Sequence, residues 1–170
     1  MTFRPLACFY PRFRNFLQKY LVNRNKSLNF ANVELLKKGF SMATNKVAYW
    51  LDIADYDLDT AEAMYQTGRW LYVAFMCHQV IEKTIKAYWC GTQSTDPPYT
   101  HNHMRLADGC GLYETMDDEQ RDFLDTITNY NIEARYPDDK AELAKTLTSD
   151  FCRKMIDDTR KLQIWIKEKL

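Results

Sequence analysis

Between Trp70 and Trp89 the chain runs for five helical turns, roughly 30 Å, without a Gly or a Pro. Small and apolar residues recur at helical spacing through Val73, Ala74, Cys77, Val80, Ile81, Thr84, Ile85 and Tyr88, a wide stripe for burial. Phe75 and Met76 fill the gaps in its first half, so the pattern predicts a central helix touching neighbours on more than one side. A second row, His78, Glu82 and Lys86, is spaced i, i+4, i+8 and lines one face. On pattern alone the polar set Gln79, Glu82, Lys83 and Lys86 reads as a solvated rim.

The same periodicity predicts a first helix over about 45–66, with Trp50, Leu51, Ala54, Leu58, Ala61 and Tyr65 turned inward. Asp52, Asp55, Asp59 and Glu62 recur on its other side and are expected to form a solvated acidic face. Gly68 closes this helix, and so short a turn makes the first two helices an antiparallel hairpin. After a Pro-containing loop, residues 100–109 read as a short helix with Thr100 near its N-cap. A third long helix is expected over about 117–134, with Phe123, Leu124, Ile127, Tyr130 and Ala134 inward, acids in its first turn and Pro137 stopping it. The last runs from Thr148 or Ser149 to the end, burying Phe151, Met155, Leu162, Trp165 and Ile166. No strand-like alternation of any length occurs. The expected fold class is all-α: an up-down-up-down antiparallel four-helix bundle with a short extra helix.

Charge changes the picture at one end. Formal charge sums to zero over 170 residues, yet residues 1–41 carry eight Lys/Arg against the single acid Glu34. The remainder is correspondingly acidic and a poor non-specific binder of nucleic acid, so any such contact must be a confined basic spot. The chain is therefore divided into a basic extension, 1–41, and a helical domain, 42–170. The extension fits three accounts: an Arg-rich transit peptide, a docking helix from about Pro11 to Val22, or an upstream-extended start that is disordered or never made. The third is preferred, because Met42 opens a normal-looking Met-Ala-Thr-Asn and Lys38-Gly39 can be encoded by a purine-rich, ribosome-binding string.

The five cysteines form no C-x-x-C pair and are expected to be reduced thiols in a cytoplasmic protein. No apolar run reaches the ~20 residues of a membrane span. His101 and His103 resemble an H-x-H metal pair, but two ligands are not a site and no His follows, so neither a metal nor another cofactor is expected.

Three strings carry a resemblance. They are Trp50-Leu-x-x-Ala-x-x-Asp57-Leu-x-x-Ala61, then Gly68-Arg69-Trp70-x-x-x-Ala74-Phe75-x-x-x-Gln79-x-x-Glu82-Lys83-x-x-Lys86-Ala87, and Ala134-Arg135-Tyr136-Pro137-Asp138. In that order, and with Thr100-His101 and Leu106 between them, the chain over about 45–168 resembles the HEPN family (higher eukaryotes and prokaryotes nucleotide-binding). His103 departs from it, standing where an aliphatic residue is usual. The resemblance implies a bundle like the substrate-binding subunit of nucleotidyltransferases. It also implies homodimers that meet through the signature faces and, in prokaryotes, a separately encoded small nucleotidyltransferase partner, often as a toxin–antitoxin pair. Active relatives are metal-independent endoribonucleases with an Arg-x4–6-His motif, the Arg holding the scissile phosphate and the His acting as acid/base on the ribose 2′-hydroxyl.

Carried over, the Arg is Arg135, but Lys140, Ala141 and Glu142 stand where the His belongs. A Lys binds phosphate yet shuttles protons poorly at neutral pH. The resemblance thus implies a nucleotide- or RNA-phosphate binder without the usual ribonuclease activity. Arg135 is its phosphate anchor, Tyr136 a stacking or positioning neighbour, and Lys83 and Lys86 supporting charge that Glu82 orients, with Gln79 beside them lining a shared cleft. His78 is a distant stand-in for the missing catalytic His. The alternatives are an active ribonuclease toxin and a purely structural helical adaptor.

Overall fold

The hydrophobic stripe of residues 70–89 becomes the axis of the molecule. The computed structural model describes residues 30–131 and 146–170, and these form α1 (Phe30–Gln66), α2 (Trp70–Thr92), α3 (His103–Gly109), α4 (Asp118–Thr128) and α5 (Ser149–Lys167). Two single 3₁₀ turns, Tyr113–Thr115 and Asn129–Asn131, flank α4, and no strand occurs among the described residues. The fold is all-α: a bundle of α1, α2, α4 and α5, with α3 as the short extra helix. Helix α2 packs against each of the other four described helices, and Val73, Ala74, Cys77, Val80, Ile81 and Ile85 are each fully buried.

Local chemistry sets the ends. Gly68 has φ +69°, a left-handed turn in which the Gly68 N–H reaches Tyr65 O and the Arg69 N–H reaches Met64 O, reversing the chain after α1. Asp117 caps α4 through a capping box with Gln120, and Thr148 caps α5 by accepting from the Phe151 N–H. Helix α3 begins later than the Thr100 cap predicts. Asn102 is its cap, accepting from the Arg105 N–H at 2.8 Å, while Thr100 accepts from the Asn102 N–H. Helix α4 also stops earlier than expected, at Thr128, where the 3₁₀ turn takes over.

The largest difference lies at α1, which begins at Phe30 rather than near Asn45. The boundary drawn at residue 42 therefore falls inside one continuous helix. No Pro interrupts 30–66, and the single Gly39 costs a helix only about 1 kcal/mol. The basic residues before Phe30 lie outside the described residues, as do Arg135, Tyr136 and Lys140.

Contacts at both ends orient α5. Tyr65 Oη lies 3.0 Å from Ser149 Oγ, and the Cys152 thiol faces Trp70 O, whereas Leu170 sits against Gly91. Helix α5 thus runs alongside α2 and antiparallel to α1. The expected acidic face of α1 turns out to be partly an interface with α5. Glu62 receives a two-pronged ion pair from Arg153 at 2.8 and 2.9 Å and a further contact from Arg160, and Asp55 receives Gln163 and Lys167. Asp52 and Asp59 remain exposed. Burial works against the Glu62 carboxylate, but the hydrogen bonds from Arg153 lead the effects that bring it down to about 2. A lowered carboxylate contributes stability at neutral pH, and that contribution drains away as pH falls from the ordinary 4.5 towards about 2. Glu62→Gln should therefore flatten the acid limb of a stability-versus-pH curve between these values, measured by urea unfolding.

The described cysteines, Cys77, Cys90, Cys110 and Cys152, are buried free thiols, and burial raises Cys77 to about 12 and Cys152 to about 11. No helix among the described residues is long and apolar enough to cross a membrane.

Candidate functional site

A helix buried on nearly all sides has few positions for polar groups, and α2 spends them in one place. His78, Glu82 and Lys86 lie one turn apart, and all three are buried. Glu82 is the hub. Its Oε1 accepts from Lys86 Nζ at 2.7 Å. Its Oε2 meets His101 Nδ1 at 2.8 Å, across the loop that leads into α3, and lies 3.4 Å from His78 Nε2. Lys86 also sits over the Trp50 ring of α1, 5.2 Å from its centroid. Burial alone would raise the Glu82 carboxyl, but its contacts with His78, Lys86 and His101 together hold it well below the usual carboxylate range.

Behind Glu82 lie two fully buried imidazoles. His78 Nδ1 is 3.1 Å from Ile127 O at the end of α4, and its ring lies against that of His103, the first residue of α3, with centroids 4.1 Å apart and planes tilted by 31°. Both nitrogens of His103 and Nε2 of His78 lack a hydrogen-bond partner. Burial and the neighbouring His78 push His103 well below the ordinary histidine range, opposed by Glu82. His78, Glu82 and His103 each offer a ligand atom, and these atoms lie within 4.8 Å of one another.

The site differs from its sequence-based outline in three ways. Lys83 pairs with Asp57 of α1, a partner that spacing within α2 does not show, and Lys86 with Glu82 one turn away, so each cation is matched by a carboxylate. His78 faces Ile127, Glu82 and His103 rather than solvent. The exposed histidine is His101, whose side chain is 46% accessible while its Nδ1 is held by Glu82. In the sequence His101 is visible as part of a matching string and as half of an H-x-H pair, and nothing in its spacing ties it to Glu82. Gln79 is half-buried on the same face of α2. Arg135 and Tyr136, the expected anchor and its neighbour, lie outside the described residues.

A second concavity, between α4 and α5, is lined by Phe123, Phe151 and Met155, and its four acids Asp117, Glu119, Asp122 and Asp158 outnumber Lys154 and Lys161, both of which pair with Asp158. That sign of charge repels phosphate.

Comparisons with known proteins agree with this architecture. No curated protein matches the chain. Among solved structures it is similar to the crystal structure of TT1696 from Thermus thermophilus, with a TM-score of 0.64 and 20% sequence identity over 74% of this chain and 99% of that one. At that identity the likeness speaks for the fold. The model of the HEPN domain matches residues 47–169, which takes in α2, the Glu82 hub and the segment that supplies His101. With most of the chain matched, this protein belongs to the HEPN domain family.

Proposed function

We propose that this protein binds the phosphate of a nucleotide or of RNA at the surface where the Glu82–His101 pair opens from the bundle, and that it works with a small nucleotidyltransferase. One observation carries the reading: a half-exposed imidazole is held in a fixed orientation by a buried carboxylate that Lys86 and His78 also contact. Such an arrangement fixes which nitrogen of His101 faces outward: Nδ1–H donates to Glu82 and Nε2 points out, where in the imidazolium form its N–H donates to a phosphate oxygen. Arg135 is the anchor for phosphate charge in this reading, with Tyr136 beside it and Gln79 at the edge. Lys83 and Lys86 act by holding α1 and Glu82 in place rather than as free cations. The protein acts as a homodimer. Tyr49 and Tyr56, seven residues apart along α1 and 61% and 73% exposed, supply apolar surface for the contact.

The same pair favours a second reading. An imidazole oriented by a carboxylate is also the means by which enzymes present a general base, so His101 is the candidate to replace the histidine missing after Arg135 in a metal-independent ribonuclease. Calorimetric titration of the full chain with ATP, GTP and a short RNA tests the binding reading. His101→Ala and Arg135→Ala are each expected to weaken the best ligand by about tenfold or more, the loss of roughly one charge-assisted hydrogen bond. Undiminished binding by both variants would sink it. Cleavage of RNA in EDTA that disappears in both variants would promote the ribonuclease reading, whereas intact RNA with wild-type protein supports binding alone. A nucleotidyltransferase frame adjoining the gene, and its product co-purifying with this chain, is the expected sign of the partner.

A further inference from the structure

The two buried imidazoles behind Glu82 pose a problem that the phosphate reading does not use. A backbone carbonyl only accepts, so the 3.1 Å contact between His78 Nδ1 and Ile127 O places the proton on Nδ1. His78 Nε2 then turns a lone pair towards Glu82 Oε2, 3.4 Å away, in a place where neither side chain is more than 4% exposed. Two acceptors facing each other inside a core need a positive centre between them. A proton on Nε2 would serve that pair, but it would do nothing for His103, which lies alongside at a tilt, fully buried, and unpartnered at both nitrogens. A polar ring is not left so without cost.

We propose that His78, Glu82 and His103 bind a divalent transition-metal ion of the zinc class. One ion would take up the lone pairs of His78 Nε2 and His103 and a Glu82 oxygen at once, and a ligand atom from each of the three residues already lies within 4.8 Å of the others. Two imidazoles and one carboxylate are a donor set that suits zinc, with a fourth position left over. The surroundings are those a metal ligand needs. The second ring nitrogen of His78 is fixed by a carbonyl, and the Glu82 carboxylate is steadied by Lys86 on one oxygen and by His101 on the other. The two histidines of the H-x-H string do not act as a pair. His103 is a ligand, while His101 orients the carboxylate, and the further ligands come from α2.

Chelation alone tests this, independently of any nucleotide. The full chain, stripped with EDTA, is titrated with Co²⁺ as a visible probe and then with Zn²⁺ as competitor. The expected result is one equivalent of Co²⁺ with the intense d–d bands of a low-coordinate site, displaced by Zn²⁺, together with a thermal midpoint that rises with Zn²⁺. His103→Leu, which fills the buried volume with an apolar side chain, and Glu82→Gln should each weaken the metal by at least about tenfold. Far-UV circular dichroism establishes that each variant is folded, and His103→Leu decides alone if Glu82→Gln is not. Absence of binding by the wild-type chain overturns the proposal, as does binding to folded His103→Leu that equals wild type.

Discussion

Glu82→Ala should cost the fold about 3–5 kcal/mol, the penalty for removing one partner of a buried ion pair, when unfolding by urea is followed in EDTA. The reason is what stays behind. Lys86, 8% exposed, is left beside the Trp50 ring without its carboxylate partner, and His101 and His78 lose the carboxylate they converge on. Lys86→Met alone should cost less, because Glu82 retains both histidines. The double variant should be more stable than the sum of the singles predicts by roughly 0.5–3 kcal/mol, the range for directly contacting residues. Strict additivity would mean that the pair is not coupled. The pH dependence has a definite sign. The Glu82 carboxyl is lowered in the folded state, so its contribution is fully present above the ordinary 4.5 and is lost only as the solution becomes strongly acidic. Wild-type protein should therefore lose stability on acidification well below pH 4.5 in a way that Glu82→Ala does not.

Ile81→Ala should destabilise the fold by about 2–5 kcal/mol, and Ile81→Val by about 0.5–1.5 kcal/mol, with an unchanged denaturant slope in both. Ile81 is fully buried in the main core cluster, one residue before the Glu82 hub. Helix α2 is flanked by α1 and α5 and also touched by α3 and α4, so no single neighbour can move in to close the cavity. A loss under about 1 kcal/mol for the alanine variant would show that the centre of the bundle is loosely packed. The two substitutions probe neighbouring positions of one helix by different physics, a lost transfer and cavity term against an orphaned charge. Their effects should differ in salt and pH response even where their sizes agree.

Much of the architecture is legible from residue order, because its causes are local. The 3.6-residue recurrence of Val73, Ala74, Cys77, Val80 and Ile81 names α2 and its buried face. Gly68 marks the reversal between α1 and α2, and Thr148 marks the start of α5. The start of α1 is harder to place, since propensity differs little across residues 30–45 and several capping types, Asn32, Ser41, Thr44 and Asn45, offer competing starts. The acidic row of α1 misleads for a different reason. Glu62 and its partners Arg153 and Arg160 are some 90 to 100 residues apart, and spacing within one helix says nothing of what lies across from it.

Residue order alone thus specifies the helices, the hairpin, the core stripe and the family strings, all of which depend on neighbours within a few turns. The chemistry of the site is a product of tertiary packing. Packing brings His101 and His103, at the entry to α3, against His78 and Glu82 in the middle of α2, and matches Lys83 and Lys86 to carboxylates. It also buries one member of the H-x-H string while exposing the other. The physical reason is that hydrophobic periodicity orients each helix separately. Which polar groups then share a dielectric, a proton or an ion depends on how the loop after α2 returns the chain and on how α4 packs its last turn against His78, and neither is written in the period of any one helix.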